Sequence, residues 1–247
     1  MAGYSNQKVF ILYEDEHLLV VKKPFGMESQ RGKSFAMDQE SLLRGYLSSK
    51  TKTDNPYLAV VHRLDRPVAG VMVYAKTKKA AADLSAQLQT ENFSKKYEAV
   101  VSGIVPACEG RLEGYLTADK RTGTTSVSSK ADPLAKKAVL TWKEIAREEV
   151  KSGEILLPYA SNPSPEGGWH FLSIVLETGR HHQIRAQLSH AGMPIAADVR
   201  YGGAKVHGPR GAIALCAAQW SVRHPITGKV LTYSWNDDTN KAAVNVR

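Results

Sequence analysis

Cysteine is scarce in this chain of 247 residues: there are two, Cys108 and Cys216, far apart and outside any CxxC or Cys/His cluster. That pattern excludes a disulfide framework and a zinc site built from clustered thiolates, and both side chains are expected to be ordinary buried thiols. Long apolar runs are missing as well. Nothing approaches the ~18 uninterrupted apolar residues of a membrane helix, and the opening "MAGYSNQKVFILYEDE" has no charged segment leading into a long apolar one. The expectation is a soluble, cytoplasmic protein without a membrane partner. No internal repeat is visible. Acidic residues are in deficit, 24 against 33 basic ones, for a formal charge of +9. An excess of that sign speeds encounter with polyanions and releases their counterions on binding, so nucleic acid heads the possible partners.

Two motifs of other chemistry fail on spacing. "GMESQRGKS" follows a strand pattern and resembles a phosphate-binding loop, but it has five residues between its glycines where that motif has four. The adjacent His181 and His182 would point about 100° apart on a helix, whereas a chelating pair needs i, i+4 spacing. His62 has no acidic or histidine neighbour in a ligand pattern. No metal is expected.

The remainder reads as short strands with a few helices. "VFILYEDEHLLVVKKP" predicts two strands turning around Glu14 to His17 and stopped by Pro24. "DQESLLRGYLSS" predicts a helix capped by Asp38 with Leu42, Leu43, Tyr46 and Leu47 on one face. "GVMVYAKT" is a buried strand, and Thr77 caps a helix through "KKAAADLSAQLQTEN" with Ala81, Leu84 and Leu88 as its apolar stripe. "KKYEAVVSG" alternates as a strand and ends at Gly103; "RLEGYLTADKRTGTTSVSSK" reads as surface loops or a hairpin. "AVLTWKEI" and "WHFLSIVLETG" are strands, separated by "GEILLPYASNPSPEGG", expected to be a variable loop. "RHHQIRAQLSHAG" is a helix with Ile184 and Leu188 inward and Gly192 at its end, and "AIALCAAQ" and "KVLTYSW" are closing strands. Strands outnumber helices without regular alternation, so the class is α+β with a mostly antiparallel sheet.

"VVHRLDRPVAGVMVYAKT" sets Asp65 between Arg63 and Arg66. On local sequence alone an aspartate so placed is the middle of a structural ion pair, and Tyr97 of "KKYEAVVSG" is a buried strand aromatic. Four ordered blocks change that weighting. "HRLDR" ahead of a glycine and an apolar strand, "ILYEDEHLLVVKKPFGM" with Lys23 and Pro24, "KKYEAVVSG" with Lys95 and Tyr97, and "LETGRHHQIRAQLSHAGMPIAADVRYGG" together resemble the RluA family of RNA pseudouridine synthases. "ALCAAQWSVRHPITGK" continues the resemblance, which extends from about Ile11 to Lys229. The chain departs from the family at Pro67, Val68 and Ala69, where an acidic or polar residue and then Ser-Gly are usual, at His181 for threonine, and at Ala197 for glycine.

The resemblance implies a pseudouridine synthase fold, a single catalytic domain over 1–247 with its core about 9–235 and no accessory RNA-binding domain, acting as a monomer with a catalytic cleft. It implies an enzyme that isomerises uridine to pseudouridine in ribosomal or transfer RNA: the bond from ribose to the base nitrogen breaks, the base turns, and its carbon 5 is joined to the sugar. No redox change or energy input is involved, so no cofactor is expected. The target uridine must be flipped or already unpaired. Asp65 is implied as the catalytic carboxylate, Arg185 as its counter-charge and Tyr97 as the ring stacked on uracil. His62, Arg63, Arg66, Lys95, Lys96, Arg180, His182 and Gln183 are implied as RNA-contacting. An inactive RNA-binding protein of the same fold is the alternative; a glycosidase would want a second carboxylate, and Asp198, the one late candidate, is expected to be structural.

Overall fold

A computed structural model of the protein describes residues 8–32, 38–88, 90, 94–163, 165–237 and 243–245. In chain order the strands and helices are β1 (Lys8–Glu14), β2 (Leu18–Lys23), α1 (Gln39–Thr51), β3 (Ala59–Val60), β4 (Ala69–Ala75), α2 (Lys78–Gln87), β5 (Ser94–Ser102), β6 (Glu109–Asp119), β7 (Thr124–Ser128), β8 (Lys136–Glu144), α3 (Gly153–Ala160), β9 (Trp169–Leu176), α4 (Gln183–His190), β10 (Leu215–Arg223), β11 (Val230–Ser234) and β12 (Ala243–Asn245). The α+β class read from the sequence is borne out. No described helix is long and apolar enough to cross a membrane, and the described residues contain no cluster of His, Cys, Asp and Glu that could hold a metal ion.

The chain divides into two compact units, one formed by Met1–Lys95 with Ala217–Arg247 and the other by Lys96–Cys216. In the first, the strand order is β12-β1-β2-β4-β10, with β3 added to β4 and β11 to β10. β1 and β2 are antiparallel, with a register shift between Ile11 and Tyr13. Asp15 makes the turn between them: its Oδ1 accepts from the amides of His17 and Leu18, both at 2.7 Å. β4 is buried along its whole length, which is why it reads as a continuous apolar run and not as an alternation. Leu12, Val20, Val73, Leu84 and Trp220 share one core. α1 and α2 begin where the caps are predicted. Asp38 accepts from Ser41 N at 2.8 Å and Thr77 from Ala80 N at 3.2 Å, each satisfying an amide that the first helical turn leaves unpaired. The stretch beyond Leu88 includes residues outside those described.

In the second unit the order is β5-β9-β8-β6-β7, antiparallel throughout. The polar segment after Arg111 is a hairpin, β6 on β7, with Leu116 opposite Val127. Two expectations are corrected here. The segment "GEILLPYASNPSPEGG" is not all loop: its first half is α3, which buries Leu156 and Tyr159. Pro158 deletes one backbone donor, but the i, i+3 apolar pair anchors the turn despite it. Cys108 is exposed in the connection between β5 and β6, outside any strand, and only Cys216 is buried.

Candidate active site

The loop carrying "HRLDR" lies in the first unit between β3 and β4, and its backbone is fastened from both sides. Ser29 brackets Leu64: its hydroxyl donates to Leu64 O at 2.8 Å and accepts from Leu64 N at 3.0 Å. Gly26 N donates to Arg66 O at 2.7 Å. Lys23, at the end of β2, is wholly buried. The period-two alternation of the strand puts it on the same side as Val21 and Leu19. Its ammonium donates to Val68 O at 2.8 Å, Pro24 O at 2.9 Å and, more weakly, Arg66 O at 3.5 Å. The side before Asp65 is held by the Ser29 hydroxyl and the side after it by the Lys23 ammonium, so neither can shift without breaking a hydrogen bond.

Between these anchors Asp65 is half-buried, while Arg63 and Arg66 are exposed. Its carbonyl accepts from Val68 N at 3.0 Å, closing a turn that contains Pro67. Proline is tolerated at 67 because that turn takes its donor from Val68. The Arg66 guanidinium donates through Nε to Gly26 O at 3.0 Å, which fastens the loop a third time. Gly70 is required by crowding: a Cβ there would lie 2.3 Å from the Cβ of Ala217. His62 is buried, lies roughly parallel to Trp220 with ring centroids 6.4 Å apart, and accepts from Val73 N through Nε2 at 3.1 Å. Burial, aided by the charge of Lys95, holds its pKa well below the usual histidine value, so the ring is neutral at pH 7 with its proton on Nδ1. Lys95 is half-buried, and burial brings its ammonium down to about 7.

In the second unit, Tyr97 is buried on β5 opposite Ile174 of β9, and Lys96 beside it is exposed. Arg185 lies in α4 and is buried. Asp198 holds its guanidinium in a two-pronged pair, Nε to Oδ2 at 2.7 Å and Nη2 to Oδ1 at 2.8 Å, and the plane rests on Tyr201, 4.8 Å from the ring centroid. Asp198 is itself buried, and the pair leaves both of its carboxylate oxygens engaged with Arg185. It fixes the orientation of an arginine that a longer, unpaired side chain would leave mobile. The Tyr201 hydroxyl accepts from Thr125 N at 2.8 Å and meets His182 Nδ1 at 2.7 Å; its pKa is raised, chiefly by burial.

The histidines precede α4 and do not lie on it. His182 has a left-handed backbone, φ 50°, and the helix starts at Gln183. The His181 and His182 rings stack at 3.7 Å, so they are not splayed as neighbours on a helix would be. Gln183 is buried and turned inward: its Oε1 accepts from Thr178 Oγ1 and Arg180 N, and its Nε2 donates to Val139 O. Arg180 is exposed, with Nε donating to Lys137 O at 2.9 Å. Ala197 stands at φ 64°, in the left-handed region, which explains why glycine is the usual residue there. Nothing in the local sequence marks Ser29 or Tyr201 for chemistry, and Lys23 stands out only as part of a motif. Its phase with Leu19 and Val21 along β2 is the available signal for its burial.

The pattern of the RNA pseudouridylate synthase family matches residues 17–190. The chain belongs to that family. The RluA resemblance of its ordered blocks is thereby borne out. This RluA-type chain is 29% identical over 235 residues to tRNA pseudouridine synthase C of Yersinia pestis, covering 92% of this chain and 86% of that protein. It is 34% identical over 194 residues to ribosomal large subunit pseudouridine synthase D of Pseudomonas aeruginosa, covering 78% of this chain and 53% of that one. Other curated relatives are likewise spanned over only about half their length, by 57%, 53% and 54%. Among solved structures, human RNA pseudouridylate synthase domain containing 1 superposes with a TM-score of 0.67 over 96% of this chain and 86% of that one; at 17% identity the likeness concerns the fold alone.

Proposed function

We propose that this RluA-type protein isomerises specific uridines to pseudouridine in ribosomal or transfer RNA, with Asp65 as the catalytic carboxylate. The observation that carries the reading is the fastening of the "HRLDR" loop: a half-buried carboxylate is presented on a backbone held on both sides by buried Lys23 and Ser29. A loop with only a structural aspartate does not need that fixity, whereas a reacting group must be held to within fractions of an ångström. Asp65 acts on the sugar or on the base. Arg185 supplies counter-charge, kept rigid by Asp198, and Tyr97 supplies the aromatic face for uracil, near the carbon whose proton leaves late in the reaction. Exposed Arg63, Arg66, Lys96 and Arg180 serve the RNA backbone, as does Lys95. His62 and Gln183, expected to touch RNA, are buried, each within its own unit.

Both ribosomal and transfer RNA stand as substrate classes because the similar proteins carry names of both kinds. The direct test compares wild type with Asp65→Asn, measuring pseudouridine in total RNA and the affinity for the RNA that wild type modifies. The expected result is loss of product with binding retained. Product formation by Asp65→Asn at a rate near that of wild type would overturn the assignment of the carboxylate. Binding without product by wild type itself would favour the inactive RNA-binding alternative.

A further inference from the structure

The second unit holds a cleft of about 440 Å³ whose walls include Pro163, Pro165, Trp169, Lys205, Val206 and His207 and none of the residues proposed for catalysis. Asn162 ties its walls together. Asn162 follows α3 and donates through Nδ2 to Tyr159 O at 2.9 Å, Pro158 O at 3.2 Å and His207 O at 2.8 Å. Its Oδ1 accepts from His207 N at 2.8 Å, and its carbonyl accepts from the Trp169 indole N–H at 3.1 Å. A single asparagine therefore closes the helix, pins the 204–207 segment and sets the indole. Gly208 completes the frame, packed so closely on the buried Tyr159 ring that a Cβ would come within 2.3 Å of it. The walls are prearranged, which lowers the ordering cost of binding.

The chemistry of this cleft is an aromatic ring only partly covered, apolar walls of proline and valine, and an exposed lysine at the rim. Among the described residues Lys205 makes no ion pair. An aromatic platform beside a cation suits a base, which stacks, joined to a phosphate, which the ammonium neutralises. The volume lies near the lower end of the ~300–1,000 Å³ range of small-ligand sites, enough for a nucleotide and too little for a duplex. We infer that this cleft takes one unpaired nucleotide of the RNA substrate, with its base on Trp169 and its phosphate at Lys205. The inference rests on RNA being the substrate. It adds a subsite around Asn162, Pro163, Pro165, Trp169 and residues 204–208.

The test uses the full chain and an RNA that wild type binds. Trp169→Ala is expected to raise KM about 10-fold, within the range that loss of one base stack produces, with kcat within about twofold and with Trp169→Phe close to wild type. Lys205→Ala, at an exposed position that does not threaten folding, is expected to reduce the slope of log Kd against log salt by about one. If Trp169→Ala fails to fold, the salt slope of Lys205→Ala decides alone. Unchanged KM in Trp169→Ala, or an unchanged salt slope in Lys205→Ala, overturns the subsite even while wild type makes pseudouridine. Conversely, RNA binding that weakens in both variants, with no product from wild type, keeps the subsite and removes the enzymatic reading. Trp169 fluorescence responding to a proline-rich peptide and not to a single-stranded oligonucleotide also overturns it.

Discussion

Replacing Lys23 by methionine keeps the length of the side chain and removes its charge and its donors. Three carbonyl groups lose a partner, those of Pro24, Arg66 and Val68, and the two longer-range ones lie just after Asp65 in sequence. A hydrogen bond from a charged donor contributes about 1.5–3 kcal/mol, and a buried carbonyl left without a partner costs about 1–3 kcal/mol. Against this stands the desolvation of the ammonium, of several kcal/mol, which the substitution removes. The Arg66 contact, at 3.5 Å, contributes little. Two good bonds lost, less the desolvation relieved, leave a net destabilisation of about 2–3 kcal/mol. Urea unfolding followed by tryptophan fluorescence measures it, since Trp220 and Trp235 are both buried in the same unit. The kinetic consequence separates an anchor from mere core packing. A loosened loop misplaces the carboxylate, so kcat should fall by about 100-fold, the cost of an ångström-scale misplacement, while KM moves far less. Lys23→Met protein that unfolds at the wild-type urea concentration and retains wild-type kcat would refute the reasoning.

Three further outcomes follow from the same geometry. Asp198→Ala leaves a buried guanidinium without its two-pronged partner and should cost about 3–5 kcal/mol of stability, with activity lost along with it; Asp198→Asn, which keeps the shape but not the charge, should recover part of the stability in urea unfolding. Ala197→Gly relieves a left-handed alanine and should stabilise by about 1 kcal/mol, read as a higher urea midpoint with an unchanged slope. For Asp15, burial alone would raise the pKa, but hydrogen bonds from Leu18 N, Tyr13, His17 N and His224 outweigh it and hold the carboxyl at about 2. A depressed folded pKa means the unfolded chain takes up the proton first as pH falls. The stability that Asp15 contributes is therefore complete above about pH 4, the unfolded value, and lost as pH falls towards 2. Asp15→Asn should be less stable than wild type at pH 7, with the difference closing over that window in thermal melts.

What could be read in advance divides by the range of the interaction. Asp38 and Thr77 cap their helices where the sequence places them because a cap spans three residues, and the buried β4 is legible from its unbroken apolar run. α3 was hidden by the prolines and glycines around it; its signal is the short Leu156 and Tyr159 stripe, too brief to outweigh Pro158. The start of α4 depends on Gln183 folding back onto Thr178 and Arg180, which local periodicity does not encode, so His181 and His182 read as helical although they are not. The site shows the same division more sharply. Residues proposed to carry the chemistry stand out by type and motif, as Asp65, Tyr97 and Arg185 do. Residues that hold a chemical group in place act across long stretches of chain: Lys23 reaches Val68 and Ser29 reaches Leu64. Asp198 grips Arg185 from beyond the end of α4. A buried polar group must find partners somewhere, so a lysine or aspartate in phase with apolar neighbours signals a distant anchor before its partner is known. By that criterion Lys23, two residues after Val21 on the inward side of β2, is the one anchor of the Asp65 loop that the sequence alone could have exposed.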